Sequence, residues 1–269
     1  MTTPRAATIS DERAAADGLR ARLGEGEPLL GLIVKMPAAA TIELAGHIGF
    51  DFVLIDGEHG ACETGELEHH IRAAEVVGIA PLVRVPGAGS PEVLRALDAG
   101  AEGIVVPHVC AAADVARAAA ALRYPPEGRR SLAVSTRAGR HGTSTLAEHV
   151  ESNRERVVLV VQIEDAEALA EVDAILGAPG LDAVFVGPAD LSCSLGAPGD
   201  LEAPAVRDAV DRIVASVRAR PELALCALAS DAQDAAAWRS RGARMVLMNT
   251  TGLLADHLAA VLARARQPA

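Results

Sequence analysis

The sequence has few aromatic residues, a single lysine and no closely spaced cysteines. Aromatic residues make up 2% of the 269 residues, although half of the residues are hydrophobic. A core must therefore consist of Ala, Val, Leu and Ile, which are typical of parallel sheets and barrel interiors. The four cysteines form no CxxC pair, which favours a reduced cytoplasmic protein with free thiols. They are Cys62, Cys110, Cys193 and Cys226.

The sequence also lacks a basic surface and a long apolar run. Its net charge is −11, and the one candidate basic patch in the sequence is a short arginine cluster, so nucleic-acid binding is not expected. The sequence contains no stretch of about 18 uncharged apolar residues, so no membrane helix is predicted. Its first residues lack the apolar segment of a signal peptide. We therefore expect no membrane association. The arginine cluster comprises Arg129, Arg130, Arg137 and Arg140.

Eight short apolar runs alternate with longer segments of helical spacing, which predicts βαβ units and a parallel sheet. Eight such units indicate an α/β fold, a single (β/α)₈ barrel, with a helix near residues 10–23 covering its bottom. An open doubly wound sheet is the alternative, but no G-x-G-x-x-G follows the first run. The apolar runs are residues 30–35, 52–56, 81–85, 103–106, 157–164, 183–187, 223–227 and 244–248, and the helical segments include 63–77, 111–122, 205–219 and 231–241.

The whole chain, 1–269, is predicted to be one barrel domain with three additions. Residues 1–28 form an N-terminal helix and lead-in, and 251–266 form a C-terminal helix. Residues 124–156 are predicted to be a long loop, rich in Gly, Arg and Ser. Long loops in compact domains are commonly functional, and the arginines of this one suit an anionic substrate.

Polar residues stand at the ends of four predicted strands, where the active sites of barrels lie. One carboxylate at a strand end is usually a helix cap or a solvated charge, but a set that converges from four strands indicates a site. Strand 2 ends in Asp56-Gly57-Glu58-His59, strand 3 carries Arg84, strand 5 ends in Gln162-Ile163-Glu164, and strand 6 continues into Gly187-Pro188-Ala189-Asp190.

The residue types in this set suggest separate tasks. Glu164 and Asp190 offer hard oxygen ligands to Mg²⁺ or Mn²⁺, whereas zinc more often binds several His or Cys residues. Histidine is the side-chain type that ordinarily exchanges a proton near neutral pH, so His59 is the natural general base. Arg84 presents a fixed charge to an oxyanion or carboxylate. His108 follows strand 4 and is a further candidate for the rim.

These motifs resemble the HpcH/HpaI aldolases, the metal-dependent (class II) pyruvate aldolases. Their order and spacing fit the family over roughly residues 29–250. The matching pieces are GFDFVLIDGEHG (49–60), PLVRVP (81–86), ALDAGAEGIVVPHV (96–109), RYPPEGRR (123–130), VVQIEDAEAL (160–169) and FVGPADLSCSLG (185–196).

The resemblance implies a carbon–carbon lyase that cleaves or forms 4-hydroxy-2-oxo acids from a small 2-oxo acid and an aldehyde. It implies a divalent ion, Mg²⁺ or Mn²⁺ with Co²⁺ as another option, bound by Glu164 and Asp190. It also implies a homo-oligomer, a hexamer built as a trimer of dimers with exchanged C-terminal helices. The implied roles of the other residues are base (His59), enolate stabilisation (Arg84), a carboxylate that reaches His59 from a neighbouring subunit (Asp98), and substrate contacts (Gln162, Gly187, Pro188, Ala189 and Arg130).

Some features leave other readings open. Ser131 and Ala133 replace glycines common in the family, and Ile33 replaces a tryptophan found in some members, which bears on the aldehyde partner. Lys35, the single lysine, ends strand 1 and offers a Schiff-base alternative. Other enzymes of the superfamily, acting on oxaloacetate or on citryl-CoA or malyl-CoA, are alternatives, and so is a non-catalytic barrel that binds a small acid.

Overall fold

A computed structural model describes residues 18–26, 28–60 and 64–267, and it contains a closed barrel of eight parallel strands. Each strand pairs with its neighbours in chain order, and β8 closes the barrel against β1. The predicted (β/α)₈ architecture is confirmed, with strand ends within two residues of those expected. The strands are β1 (Leu29–Val34), β2 (Phe52–Asp56), β3 (Ala80–Arg84), β4 (Gly103–Val106), β5 (Val158–Ile163), β6 (Ala183–Val186), β7 (Ala224–Ala229) and β8 (Ala243–Asn249).

Helices surround the barrel and return the chain from the C-terminal end of each strand to the N-terminal end of the next. Their bounds are α1 (Leu19–Glu25), α2 (Ala39–Ile48), α3 (Thr64–Val76), α4 (Pro91–Ala99), α5 (Ala112–Leu122), α6 (Leu146–Arg156), α7 (Ala168–Leu176), α8 (Pro188–Ser194), α9 (Pro204–Arg218), α10 (Ala232–Ser240) and α11 (Thr250–Ala265). Within the described ranges, none of them is long and apolar enough to cross a bilayer.

The segment predicted as a long loop, 124–156, ends in a regular helix. Thr145 accepts a hydrogen bond from the backbone N–H of Glu148, and the Glu148 carboxylate accepts one from the N–H of Thr145. This reciprocal cap, a T-x-x-E motif, starts α6 and is a sequence signal for a helix. The remainder, 124–145, runs as irregular chain with one short 3₁₀ turn at Arg140–Gly142.

Two predictions extend beyond the described residues. The described part of the N-terminal helix is α1, whose Leu19 and Leu23 are buried, while residues 10–17 lie outside the described ranges. Cys110, Cys193 and Cys226 carry free thiols as expected, and Cys62 lies outside the described ranges.

The barrel interior is filled by side chains from alternate positions of the strands, because successive residues of a strand face opposite sides. Large and small residues face each other there. Gly31 lies against the ring of Phe52, and a Cβ atom at position 31 would fall 2.5 Å from that ring. The aromatic ring therefore fills the space that glycine leaves. The interior cluster is Leu29, Ile33, Phe52, Leu54, Leu82, Val105, Val158, Val160, Ala183, Phe185, Ala224, Cys226, Met245 and Leu247, together with Leu19 and Leu23 of α1.

Candidate active site

The same alternation places polar side chains at the C-terminal mouth of the barrel. Leu29, Gly31 and Ile33 face inward on β1, so the next inward position is Lys35. By the same count, the inward positions at the ends of β2, β3, β5 and β6 are Asp56, Arg84, Gln162 with Glu164, and Gly187. The site is thus a polar layer directly above the apolar interior.

Arg84 is the centre of this layer, and its side chain is 6% exposed. Its Nε donates to Asp56 Oδ1 at 3.0 Å and its Nη2 to Asp56 Oδ2 at 2.7 Å. Its Nη1 donates to Gln162 Oε1 at 3.3 Å and lies 3.2 Å from Glu58 Oε2. The planar fork of donors fits such a bidentate pair, so Arg84 is held with one edge towards the mouth.

The buried ion pair of Asp56 and Arg84 shifts the pKa of both groups. Burial alone would raise the pKa of Asp56, but the hydrogen bonds and charge of Arg84 outweigh it and lower that pKa. Burial alone would lower the pKa of Arg84, and Asp56 raises it instead. Both groups therefore stay charged at neutral pH, and each compensates the other's burial.

Glu164 is buried, with 1% of its surface exposed. It accepts the backbone N–H of His108 at 3.0 Å and a hydrogen bond from the Gln162 amide. Burial raises the pKa of Glu164 to about 7, although the His108 N–H opposes this rise. Its Oε1 also lies 3.5 Å from His108 Nδ1, but no arginine or lysine among the described residues forms an ion pair with it. A carboxylate held this deeply is a strong candidate for a metal ligand.

Gly187 gives Glu164 the room it occupies. A Cβ atom at position 187 would fall 2.7 Å from Glu164 Oε2 and 3.1 Å from the Gln162 amide nitrogen. Pro188 then begins α8, and Asp190 lies in the first turn of that helix. Asp190 is exposed and close enough to Glu164 for its charge to raise the Glu164 pKa further. Two carboxylates, one buried and one exposed, thus lie near each other at the mouth.

Both predicted histidines reach the rim. The ring of His59 is 55% exposed, with Nε2 3.8 Å from Glu58 Oε2, and its backbone N–H binds Asp56 Oδ1 at 3.2 Å. His108 has a φ of 53°, which non-glycine residues rarely adopt. Its Nδ1 lies 3.0 Å from Asp165 Oδ2, and its Nε2 lies 3.4 Å from Glu58 Oε1. His108, a candidate from the sequence, thus lies at the rim.

Asp98 and Arg130 do not join this site within one chain. Arg130 Nη2 donates to Asp98 Oδ1 at 2.9 Å, and its guanidinium lies 4.7 Å above the ring of Tyr124. Asp98 lies near the end of α4, and Arg130 bonds to the backbone of Arg123 just after α5. Both helices end at the N-terminal side of the barrel, so the pair lies away from the mouth.

Three carboxylates of the mouth received no role from the sequence alone: Asp56, Glu58 and Asp165. Asp56 and Glu58 were noticed as members of the strand 2 ending, but nothing in their spacing says that Asp56 is the one paired with Arg84. Period-2 counting along β2 would have placed Asp56 inward beside Arg84, since these two residues are register partners. Asp165 becomes relevant through its contact with the His108 ring.

The charge balance of the mouth favours a cation. Among the described residues it holds five carboxylates, whereas Lys35 and Arg84 are its permanent cations. No group of three or more His, Cys, Asp or Glu side chains in the described ranges has the geometry of a metal centre. Mg²⁺ and Mn²⁺ prefer oxygen ligands, and they commonly bind two protein carboxylates with water and substrate at the other coordination positions. The carboxylates are Asp56, Glu58, Glu164, Asp165 and Asp190.

Comparison with known proteins places this site in a family. The family model for HpcH/HpaI aldolase/citrate lyase matches residues 30–257. The chain belongs to the HpcH/HpaI aldolase/citrate lyase family. The matched region includes all eight strands except the first residue of β1, and it includes every residue of the mouth described above.

Individual relatives agree with the family assignment. A hydroxypyruvate/pyruvate aldolase of Paraburkholderia phytofirmans is 36% identical over 236 residues, which cover 86% of this chain and 90% of the relative. A 2-keto-3-deoxy-L-rhamnonate aldolase of Escherichia coli is 35% identical over 236 residues, covering 87% and 86%. The crystal structure of an HpcH/HpaI aldolase from Desulfitobacterium hafniense superposes with a TM-score of 0.87 at 29% identity, covering 94% of this chain and 98% of that one.

The chain is thus a class II aldolase, an enzyme that makes or breaks a carbon–carbon bond. Its substrates are small acids and aldehydes, and enzymes of this class generally depend on a divalent metal ion. The non-catalytic barrel and the acyl-CoA alternatives are not favoured by these relatives.

Proposed function

We propose that this aldolase cleaves and forms 4-hydroxy-2-oxo acids through a pyruvate enolate, with Mg²⁺ or Mn²⁺ held by Glu164 and Asp190, and with Co²⁺ as another possible ion. The observation that carries the proposal is buried Glu164, whose pKa is raised to about 7 and which faces Asp190 in a mouth with excess negative charge. A cation bound there would act as a Lewis acid towards the keto oxygen of the 2-oxo acid.

The layout of the barrel separates this cation site from the proposed base. In a closed barrel of eight strands, β5 and β6 lie across the axis from β1 and β2. Glu164 follows β5 and Asp190 follows β6, whereas His59 follows β2. Arg84 of β3 reaches Gln162 of β5 through the 3.3 Å hydrogen bond and so connects the two sides. We therefore propose that pyruvate lies between the cation site and His59, with its methyl carbon turned towards His59.

The residues then divide the reaction. In cleavage, His59 accepts the proton of the 4-hydroxyl group, the C3–C4 bond breaks, and its electron pair passes into the pyruvate enolate as the aldehyde forms. Arg84 donates hydrogen bonds to the oxygen on which negative charge develops. Gln162 and the backbone of Gly187, Pro188 and Ala189 position the 2-oxo acid. Condensation reverses these steps, with His59 returning the proton to the new alkoxide.

His59→Ala is expected to lower kcat for aldol cleavage about 100- to 10,000-fold, because a general base contributes a factor of that order. The KM for the 2-oxo acid should change far less, since His59 lies on the aldehyde side. His69→Ala is the matched control, because His69 is an exposed histidine of α3. A raised KM with wild-type kcat would contradict the base role.

A homohexamer, a trimer of dimers, is the assembly that we propose for this enzyme. None of the residues of α11 is buried in the single chain, and five of its large apolar side chains are exposed. Such a patch marks a contact surface, consistent with exchange of α11 between subunits. In this assembly Asp98 would reach His59 of the partner subunit, with Arg130 beside it. The exposed side chains are Leu253, Leu254, Leu258, Val261 and Leu262.

Introducing two charges into this apolar face is expected to break the assembly. The double variant Leu254→Glu/Leu258→Glu should raise the apparent dissociation constant about 100-fold or more, since buried unpaired charges are strongly unfavourable in an interface. Sedimentation velocity measures the change. Ala263→Glu adds a carboxylate on the opposite face of α11 and should leave the assembly intact. An unchanged assembly in the double variant would show that this face is not the contact.

The reaction type is tested by proton exchange between the methyl group of pyruvate and D₂O, with and without Mg²⁺ or Mn²⁺. Exchange requires enolisation alone, so it needs no knowledge of the aldehyde. Oxaloacetate, citryl-CoA and malyl-CoA are assayed in parallel. Turnover of a CoA ester without pyruvate exchange would replace the aldolase proposal by the acyl-CoA alternative.

A further inference from the structure

The single lysine of the chain stands in the mouth of the barrel and has no part in the chemistry above. Lys35 directly follows β1, and the register of β1 with β2 pairs Val34 with Ile55. Lys35 therefore stands beside Asp56, at an inward position. The turn at 57–60 packs onto this corner, since a Cβ atom at Gly60 would fall 3.2 Å from the carbonyl oxygen of Lys35. Lys35 and His59 thus share one corner of the mouth.

The charge of Lys35 is only partly balanced, by a long ion pair with Asp56. Its Nζ lies 3.7 Å from Asp56 Oδ2, which is beyond hydrogen-bond distance. Asp56 already receives two hydrogen bonds from Arg84 and one each from the N–H groups of Glu58 and His59. No acceptor among the described residues takes a hydrogen bond from the ammonium group, whose side chain is 33% exposed.

Lys35 lies on the opposite side of the mouth from the proposed cation ligands. The proposed cation ligands follow β5 and β6, and β1 lies across the barrel axis from β5. The 2-oxo acid is held near Glu164, Gln162 and Arg84, so an ammonium group after β1 faces the other reactant. That reactant is the aldehyde, which approaches beside His59.

We infer that Lys35 is a specificity-determining residue that binds an anionic substituent of the aldehyde, a carboxylate or a phosphate. An ammonium group is a compact point charge with several donors, which suits both anions. Asp56 offsets the charge of Arg84, and Glu58, which also lies beside His59, is negative. Lys35 is therefore the side chain of this corner that can attract a substrate anion. The inference rests on the proposed function, because it assumes a 2-oxo acid on the opposite side.

Lys35→Met tests this inference, because methionine keeps an unbranched apolar chain and removes the charge. Condensation with pyruvate is measured for two matched pairs: glyoxylate against glycolaldehyde, and D-glyceraldehyde 3-phosphate against D-glyceraldehyde. We expect kcat/KM for at least one anionic aldehyde to fall about tenfold or more, the loss typical of a charge-assisted hydrogen bond. Its neutral counterpart should change less than about twofold, and Lys35→Arg should retain most of the preference. The pair that responds identifies carboxylate or phosphate.

Two kinds of result would overturn the inference. One is a loss of kcat/KM that does not depend on the charge of the aldehyde, whether equal for both members of each pair or absent from both. The other is reduction by borohydride, in the presence of pyruvate, that leaves a covalent adduct on Lys35, because this would assign the lysine a Schiff base instead. Failure of the proposed function is distinguishable, since the wild-type enzyme would then exchange no pyruvate protons, whereas failure of the lysine inference leaves that exchange intact.

Discussion

Glu164→Gln is expected to abolish metal-dependent turnover, with a fall in kcat/KM of about 1,000-fold or more. A Lewis-acidic ion stabilises transition-state charge by several kcal/mol, and each 1.4 kcal/mol is a factor of ten. The amide keeps the shape of the side chain and removes the charge that would bind the cation. The melting temperature without metal should not fall, because burial disfavours the ionised carboxylate of Glu164.

Metal binding gives a second readout for this variant. Calorimetric titration with Mn²⁺ should show binding to the wild-type enzyme and none to Glu164→Gln at the same concentrations. Glu167→Gln is the matched control, since Glu167 is exposed three residues along the same turn. Wild-type turnover and Mn²⁺ affinity in Glu164→Gln would show that this carboxylate is not a ligand.

Arg84→Met is expected to destabilise the fold as well as remove activity. Asp56 is fully buried, and its charge is compensated by the two hydrogen bonds from Arg84. Removing one partner of a buried ion pair typically costs about 3–5 kcal/mol of the free energy of unfolding. The double variant Asp56→Asn/Arg84→Met should regain part of that stability, because no uncompensated charge remains. Neither variant should regain catalysis, which requires the Arg84 donors.

The pH dependence of unfolding separates this explanation from a packing defect. In the wild-type enzyme Arg84 keeps the pKa of Asp56 below its ordinary value, so their interaction stabilises the fold above that ordinary pKa and weakens as pH falls. Without Arg84, burial raises the Asp56 pKa, and protonation at acidic pH relieves the cost. The difference in stability from wild type should therefore shrink as pH falls towards 4. A difference independent of pH would contradict the charge explanation.

Arg72→Met provides the control for the loss of an arginine. Arg72 pairs with Glu68 on the surface of α3, four residues away. Such exposed pairs contribute about 1 kcal/mol or less, so this variant should unfold at nearly the wild-type denaturant concentration.

The strands and the mouth of the barrel were predictable from the sequence because their signals are local. Apolar runs bounded by glycine and proline located every strand, and inward alternation places Arg84, Gln162 and Glu164 in one layer. The T-x-x-E cap of α6 is an equally local signal. It was not used, because the arginines and glycines around it favoured a loop.

Other features depend on contacts between distant parts of the chain. The ion pair of Arg130 and Asp98 joins residues 32 positions apart. The identity of either residue alone does not predict this pairing. The left-handed conformation of His108, which directs its N–H to Glu164, follows from a strained turn after β4. Sequence patterns do not encode such a turn, because histidine rarely occupies this region of backbone space.

The most direct test of the proposed chemistry is exchange of the methyl protons of pyruvate in D₂O, followed by NMR, with Mg²⁺ or Mn²⁺ and with EDTA. The account predicts exchange that requires the metal, stops on chelation and is lost in Glu164→Gln but not in Glu167→Gln. Folded wild-type enzyme that exchanges no pyruvate protons with any divalent ion would contradict it.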